Sequence, residues 1–440
     1  MPEKRRASAA RIDGLTLLLL GSALFLFSGM VWAAIAPRAL MDFRPGYFAA
    51  RCLLEHRDPY NPAEMQRTYQ EAGQWRPHET ASDRLLETRN EYLPSELPFT
   101  LALALLSFAA AERLWVALIG AAFTLAAVLV WQESDTAPRL AGALLCLLLV
   151  SSASLMAFGN PSALAVSLAV IAAWCFVRDR WAVAGVLCLA AALCIKPHTV
   201  GFVWLYFLLA GGQFRKRALQ TLGLTAVFGL AGLLCVGAVA PHWITELRTN
   251  LAAFTGRGAM NDPGPATGGG RGVQMVIDLQ SVFSFFWDNP RFYNLASYAV
   301  CAPLYALWAW AALHARNAPR NAWLGLAAVS ALTMLPLYHR QYDAKLILLV
   351  IPACALLAAE RGRTGRWAVG LTTVAFILNG DWTWAALDKL LPLYHLDSIG
   401  PHINLLAFPV PLSLLALGGF YLAVFVRSVR QPEPAAARVR

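Results

Sequence analysis

Apolar runs of helical length alternate with short charged clusters along nearly the whole chain. The first run covers about 14–35. Others follow at about 112–131, 140–158, 161–177, 181–196, 197–212, 218–240, 291–314, 321–338, 343–359, 366–380 and 404–426. A helix that crosses ~30 Å of hydrocarbon takes about 20 apolar residues. The pattern therefore predicts an all-α polytopic membrane protein with about 12 transmembrane helices. Residues 97–110 are apolar but shorter, and Pro94 and Pro98 introduce them. They read as a surface or re-entrant helix. Two long polar interruptions remain, at 36–111 (this short helix included) and at 241–290.

Composition agrees with this reading. The chain is 58% hydrophobic and only 14% charged. Its net charge of +10 is not a nucleic-acid signature, because the basic residues sit in short turns between apolar runs. Lys4, Arg5 and Arg6 ahead of an apolar stretch resemble a signal peptide. The run at 14–35 is longer than a signal-peptide core, so it reads as a retained first span. Seven of the eight cysteines lie in apolar runs and only Cys52 lies in a polar loop, which argues against a structural disulfide.

Charge sets an orientation. With the N-terminus in the cytoplasm, Arg178/Arg180, Arg215/Lys216/Arg217, Arg316/Arg320, Arg361/Arg363/Arg366 and Arg427/Arg430 all fall inside. The tail 427–440 is then cytoplasmic. The segments 36–111 and 241–290 are outer loops of a single integral domain. The first loop mixes eight arginines with ten acids across 36–97, as expected of a small folded cap.

The same parity puts three polar hairpin tips outside: Phe158-Gly159-Asn160-Pro161-Ser162, Lys196-Pro197-His198 and His339-Arg340-Gln341-Tyr342-Asp343. The arms of the last two are short, so their tips sit below the outer headgroups. Charges at that depth mark a pathway or a site, or else snorkel to lipid phosphate. Asp42 lies a few residues past the first span and poses the same choice between an interfacial charge and chemistry at the lipid surface. The glycine-rich stretch 255–273 is a flexible loop, either a lid or a linker, and carries no P-loop signature. No D-x-D triplet and no His/Cys cluster of metal-ligand spacing occurs, so no cofactor is expected and any chemistry is metal-independent or uses a metal bound in an unusual way.

Taken in order, these residues resemble a known family. The pattern runs from a membrane-proximal acid through Tyr47, Ala49-Ala50 and Asp58-Pro59-Tyr60. It continues with Gly159 and Asn160-Pro161-Ser162, then Ala184-Gly185 leading to Lys196-Pro197-His198. It ends with Tyr338-His339-Arg340 before Tyr342-Asp343. The chain resembles glycosyltransferase family 87, the polyprenol-phosphate-mannose-dependent α-mannosyltransferase-like proteins of the GT-C class, over roughly 40–360. One departure is Gly159-Asn160, where members often have Gly-Gln. The resemblance implies a GT-C-like bundle whose first outer loop carries membrane-lying helices and a catalytic acid, which would be Asp42.

The implied activity is transfer of a sugar, mannose or a relative, from a polyprenyl-phosphate donor to a glycolipid or glycan acceptor hydroxyl at the outer face of the cell membrane. Asp42 would serve as general base, with His339 or His198 as competitors on chemistry alone. Lys196 and Arg340, with His198 beside them, are the candidates for holding the donor phosphate. Asn160 and Tyr342 are placed to contact or orient substrate. Asp343 either orients Arg340 or pairs with Lys345. Tyr47 either packs the outer loop or touches sugar. Asp58 and Tyr60 also read as plain turn chemistry. Rival readings are a secondary transporter of a small solute, a polysaccharide ligase or polymerase, and a membrane scaffold.

Overall fold

The computed structural model describes residues 12–36, 39–74, 87–264, 276–386 and 409–430. Asp13 caps the first helix by accepting the Thr16 amide at 2.7 Å. The chain then runs α1 (Gly14–Ile35), α2 (Phe43–Leu54), α3 (Pro62–Glu71), α4 (Leu97–Ala104), α5 (Phe108–Gln132), α6 (Pro138–Val150), α7 (Ser154–Phe158), α8 (Pro161–Val177) and α9 (Ala182–Ile195). It continues through α10 (Pro197–Ala210), α11 (Gly212–Val239), α12 (Trp243–Thr255), α13 (Leu279–Ser284), α14 (Pro290–His314) and α15 (Pro319–Leu332). A 3-10 turn, Asp343–Leu349, feeds α16 (Val350–Ala359), followed by α17 (Arg363–Leu378) and α18 (Pro409–Arg430).

This is an all-α polytopic membrane protein. Among the described residues there is no strand, only an isolated bridge between Val276 and Arg340. Every predicted run is helical for most of its described length. Among the described residues, six segments are long and apolar enough to cross a membrane: α1, α5, the broken α6–α7 pair, α11, α14 and α18. By length and composition these six are candidate crossings, and the other six runs predicted from the sequence form shorter helices. The helices α8, α9 and α10 are apolar but have only 17, 14 and 14 residues. At 1.5 Å per residue, a helix of that size falls short of the ~30 Å of hydrocarbon.

Helix packing uses small residues where backbones touch. A Cβ on Gly142 would lie 2.2 Å from the Gly14 carbonyl oxygen, so α1 and α6 cross in near contact. The predicted 140–158 span is interrupted at 151–153. There the Ser151 and Ser152 hydroxyls bond back to Leu147 and Leu148 carbonyls at 2.8 and 2.6 Å. The predicted span 321–338 also stops early, at Leu332. Residues 333–342 are irregular and mostly buried, which is tolerable at membrane depth because protein surrounds them. The short run predicted over 97–110 splits too: α4 ends at Ala104 and α5 already begins at Phe108.

Both long interruptions fold against the bundle. In the first, Arg44 is buried between Glu87 (2.7 Å) and the rings of Tyr69 and Phe108. The second is more ordered than its glycine content predicts: it contains α12 and α13. Asn250 of α12 donates to the carbonyls of Tyr60 and Asn90 at 2.9 and 3.1 Å, which joins the two loops. Residues 265–273 of the glycine-rich stretch, 404–408 of the last predicted run, 431–440 of the tail and Lys4 to Arg6 lie outside the described residues.

Candidate active site

Asp42 ends the turn that follows α1. Its backbone N–H donates to the Phe158 carbonyl at 3.1 Å, and Leu40 N–H donates to Ala157 at 2.7 Å. These bonds stitch the turn to the first polar tip. Gly159 makes the fit possible. Its φ is +64°, and a Cβ there would lie 2.7 Å from Leu40 Cδ2. Trp115 Nε1 donates to the Gly159 carbonyl at 2.8 Å and packs its ring on Phe43. Asn160 follows as the N-cap of α8, with Pro161 at the first helical position. Its Oδ1 accepts from the Ser162 amide and hydroxyl at 2.8 and 2.6 Å. That fixes the amide orientation, so Nδ2 donates to Asp42 Oδ2 at 2.8 Å. The surrounding protein raises the Asp42 pKa above the usual carboxylate value. The Asn160 bond and the positive charges of Arg340 and Lys196 offset part of that rise.

Lys196 occupies the break between α9 and α10, where Pro197 forbids a continuous helix. Its ammonium meets the Ser162 hydroxyl and lies 3.5 Å from Asn160 Oδ1. It pairs with Asp343 at 3.0 Å and sits 5.0 Å from the centre of the Tyr342 ring. Asp343 also accepts the Arg340 backbone N–H at 2.9 Å. The Arg340 guanidinium reaches the Tyr338 hydroxyl at 2.5 Å and Asn261 Oδ1 at 2.8 Å. His198 and His339 face each other with ring centroids 5.3 Å apart. His339 is fully buried, whereas His198 is exposed.

The structure thus brings Asp42, Asn160, Lys196, Tyr342, Asp343 and Arg340 into one chain of contacts, with the two histidines alongside. Two of the sequence alternatives resolve. Asp343 pairs with Lys196, not with Lys345, whose ammonium instead lies 3.7 Å from Asp381. Tyr47 belongs to a different environment. It is buried among Phe43, Phe48 and Phe108, and its hydroxyl donates to the Leu106 carbonyl at 2.8 Å. Asp58 shapes its turn by accepting the Tyr60 amide at 2.8 Å.

Sequence reasoning missed several members. Tyr92 reaches toward the Asp42 carbonyl at 3.5 Å. Glu91, half-buried, feels the charges of Lys196, Asp42 and Arg340, and burial raises its pKa. Glu96 is 2% exposed, and neither carboxyl oxygen has a hydrogen-bond partner among the described residues. Burial pushes its pKa from 4.5 to about 8. The only signal was the cluster Glu91-Tyr92-Leu93-Pro94-Ser95-Glu96 entering an apolar run. Asn261 reaches Arg340 from the second loop, at long sequence range. Among the described residues no three His, Cys, Asp or Glu side chains converge as a metal site.

An acid, Asp42, and two cations, Lys196 and Arg340, are gathered from three separated segments of a helical membrane protein. The sequence model of glycosyltransferase family 87 matches residues 92–337, more than half of the 440-residue chain. The chain belongs to glycosyltransferase family 87 and is a membrane glycosyltransferase. The matched region contains Asn160, Lys196 and His198; Asp42, His339, Arg340 and Asp343 lie outside it. No curated protein and no solved structure matches the chain.

Proposed function

We propose that the protein moves a sugar, mannose or a related one, from a polyprenyl-phosphate donor to an acceptor hydroxyl on a glycolipid or glycan at the non-cytoplasmic face of the cell membrane. The observation that carries this reading is the Asn160 side chain. Its amide holds the Asp42 carboxylate at one end and approaches the Lys196 ammonium at the other. A base and a phosphate-binding cation are therefore one amide apart.

Asp42 removes the proton from the acceptor hydroxyl as its oxygen bonds to the anomeric carbon. The bond between that carbon and the phosphate oxygen breaks, and polyprenyl phosphate leaves with the electron pair. Lys196 and Arg340 offset the negative charge that develops, so no metal is invoked. Asp343 orients both: it holds the Lys196 ammonium and the Arg340 backbone. Asp42 is favoured as base over His339, which is fully buried and whose Nδ1 is engaged with the Leu337 carbonyl at 2.9 Å. His198 flanks the phosphate position. Tyr342 sets the wall behind Lys196, and Tyr47 supports the aromatic packing of the first loop.

The two loops, 36–111 and 241–290, meet through Asn250, and Asn261 of the second loop holds Arg340. This supports one integral domain with both loops on the same face; the distribution of basic turns supports that face being the outer one, with the N-terminus and the 427–440 tail in the cytoplasm. The test is incubation of membranes containing the protein with radiolabelled polyprenyl-phosphate mannose. Label passes to an acceptor with the wild type and stays in the lipid with Asp42→Asn. Full transfer by that variant removes Asp42 from the mechanism.

A further inference from the structure

A second polar cluster lies away from Asp42, where three turns meet. Lys345 is fully buried. Its ammonium donates to the carbonyls of Ser151 and Asn379 at 3.0 and 2.8 Å and lies 3.7 Å from Asp381. Asp381 is the hub, with a side chain only 13% exposed. Its Oδ2 accepts the Ser154 backbone N–H at 2.8 Å, and its Oδ1 accepts the Ser154 hydroxyl at 2.7 Å and Gln341 Nε2 at 3.0 Å. Its own backbone N–H donates to the Ser151 carbonyl at 3.0 Å.

These bonds reach the proposed site from behind. Ser154 begins the five-residue helix Ser154–Phe158, which delivers Gly159 and Asn160. Gln341 lies between Arg340 and Tyr342 and two residues before Asp343. On the site side, Lys196 bridges the same two tips: it approaches Asn160 and pairs with Asp343. A ligand phosphate that draws Lys196 toward itself weakens that link. The Asp381 connection does not involve Lys196 and so persists. Buried, charge-assisted hydrogen bonds of this kind are costly to break, because the remaining partner is left uncompensated.

We infer that Asp381 is a positioning residue. It holds the Asn160 tip and the Arg340–Asp343 tip in register through Ser154 and Gln341, with Lys345 balancing its charge. The inference rests on the transferase reading above, but its mechanical part can be tested without that reading.

Three variants test it: Asp381→Asn, Gln341→Leu and the double variant. Gln341→Leu cuts a single bond to the tip and leaves the Lys345–Asp381 pair intact. In the labelled-donor assay, each single variant lowers kcat by about 10-fold to 100-fold, the scale set by misplacing reacting groups by a fraction of an ångström to an ångström. KM for the donor changes less than kcat. If both residues act through one connection, the double variant is no worse than the weaker single one. Wild-type kcat and KM in both folded single variants overturn the inference, and so do losses that multiply in the double variant. Amide hydrogen exchange in detergent supplies the second arm. Gln341→Leu accelerates exchange in both 154–162 and 338–346 if the strut joins them; unchanged exchange in 154–162 overturns it. Should the wild type transfer no label, the transferase reading fails and the exchange arm still decides whether the strut exists.

Discussion

At the scale of single residues, the site is a set of charges that would be expensive alone. Asp42 lies beside Asn160, Lys196 pairs with Asp343, and Arg340 is held by Tyr338 and Asn261. Asp42→Asn removes the proton acceptor while keeping the shape, and transfer should fall by ~100-fold or more with expression unchanged. Lys196→Ala and Arg340→Ala each remove charge stabilisation of the leaving phosphate and should lower kcat by roughly 100-fold, measured at saturating donor. A base works only when ionised, and burial raises the Asp42 pKa above 3.8. Transfer is therefore lost on acidification through a midpoint above that value, which a pH–rate profile reads directly. Asp42, Lys196 and Arg340 were legible as charges stranded at the ends of apolar runs. Which residues they pair with was not, because Asn160 is 118 residues from Asp42 and Asp343 is far from Lys196 in the chain. No local pattern encodes a contact at that range.

At the scale of elements, most helices followed from apolar run length, and several ends followed from proline and capping chemistry. Pro161 and Pro197 start helices at their first position, and Asn160 caps the one that follows it. The breaks inside runs were hidden. The interruption at 151–153 depends on Asp381, far along the chain, satisfying the start of the next short helix. Residues 333–342 leave helical form where Leu335, Pro336 and His339 offer carbonyls to Leu279, Gln280 and Ile277. A pattern of hydrophobicity sees apolar residues in both places and continues the helix. Gly159 is the element-level test. Gly159→Ala imposes a left-handed backbone on an L side chain at about 1–2 kcal/mol and drives a Cβ into Leu40. The expected result is a lower melting temperature in detergent and transfer reduced more than folding alone explains, because the Asp42 turn shifts.

At the scale of the whole molecule, burial sets pH behaviour. Glu96 has a pKa of about 8 in the folded protein against 4.5 when unperturbed. Its folded form holds a proton more tightly. The stability it contributes is therefore complete below pH 4.5 and is lost as pH rises through about 8. Glu96→Gln keeps the neutral shape and removes this dependence. Melting temperatures near about pH 5 and about pH 9 should differ less in the variant than in the wild type. Orientation is testable at the same scale. With a membrane-impermeant maleimide, Gln70→Cys should react in intact cells and Lys216→Cys only after permeabilisation; the reverse pattern inverts the topology.

The amino-acid sequence alone determined that this is a helical membrane protein, where most of its helices run, and which charges were too costly to be incidental. Those properties depend on composition and spacing within a few turns of chain, and the cost of exposing polar groups to lipid makes them hard to disguise. Only the tertiary structure decided which charges meet. It paired Asp343 with Lys196 instead of Lys345, placed Tyr47 in the packing of the first loop, brought Asn261 onto Arg340, and broke helices where distant side chains took over their backbone groups. Each outcome is a competition between partners far apart in the chain. Such contests are settled by packing of the whole bundle, which no local stretch of sequence contains.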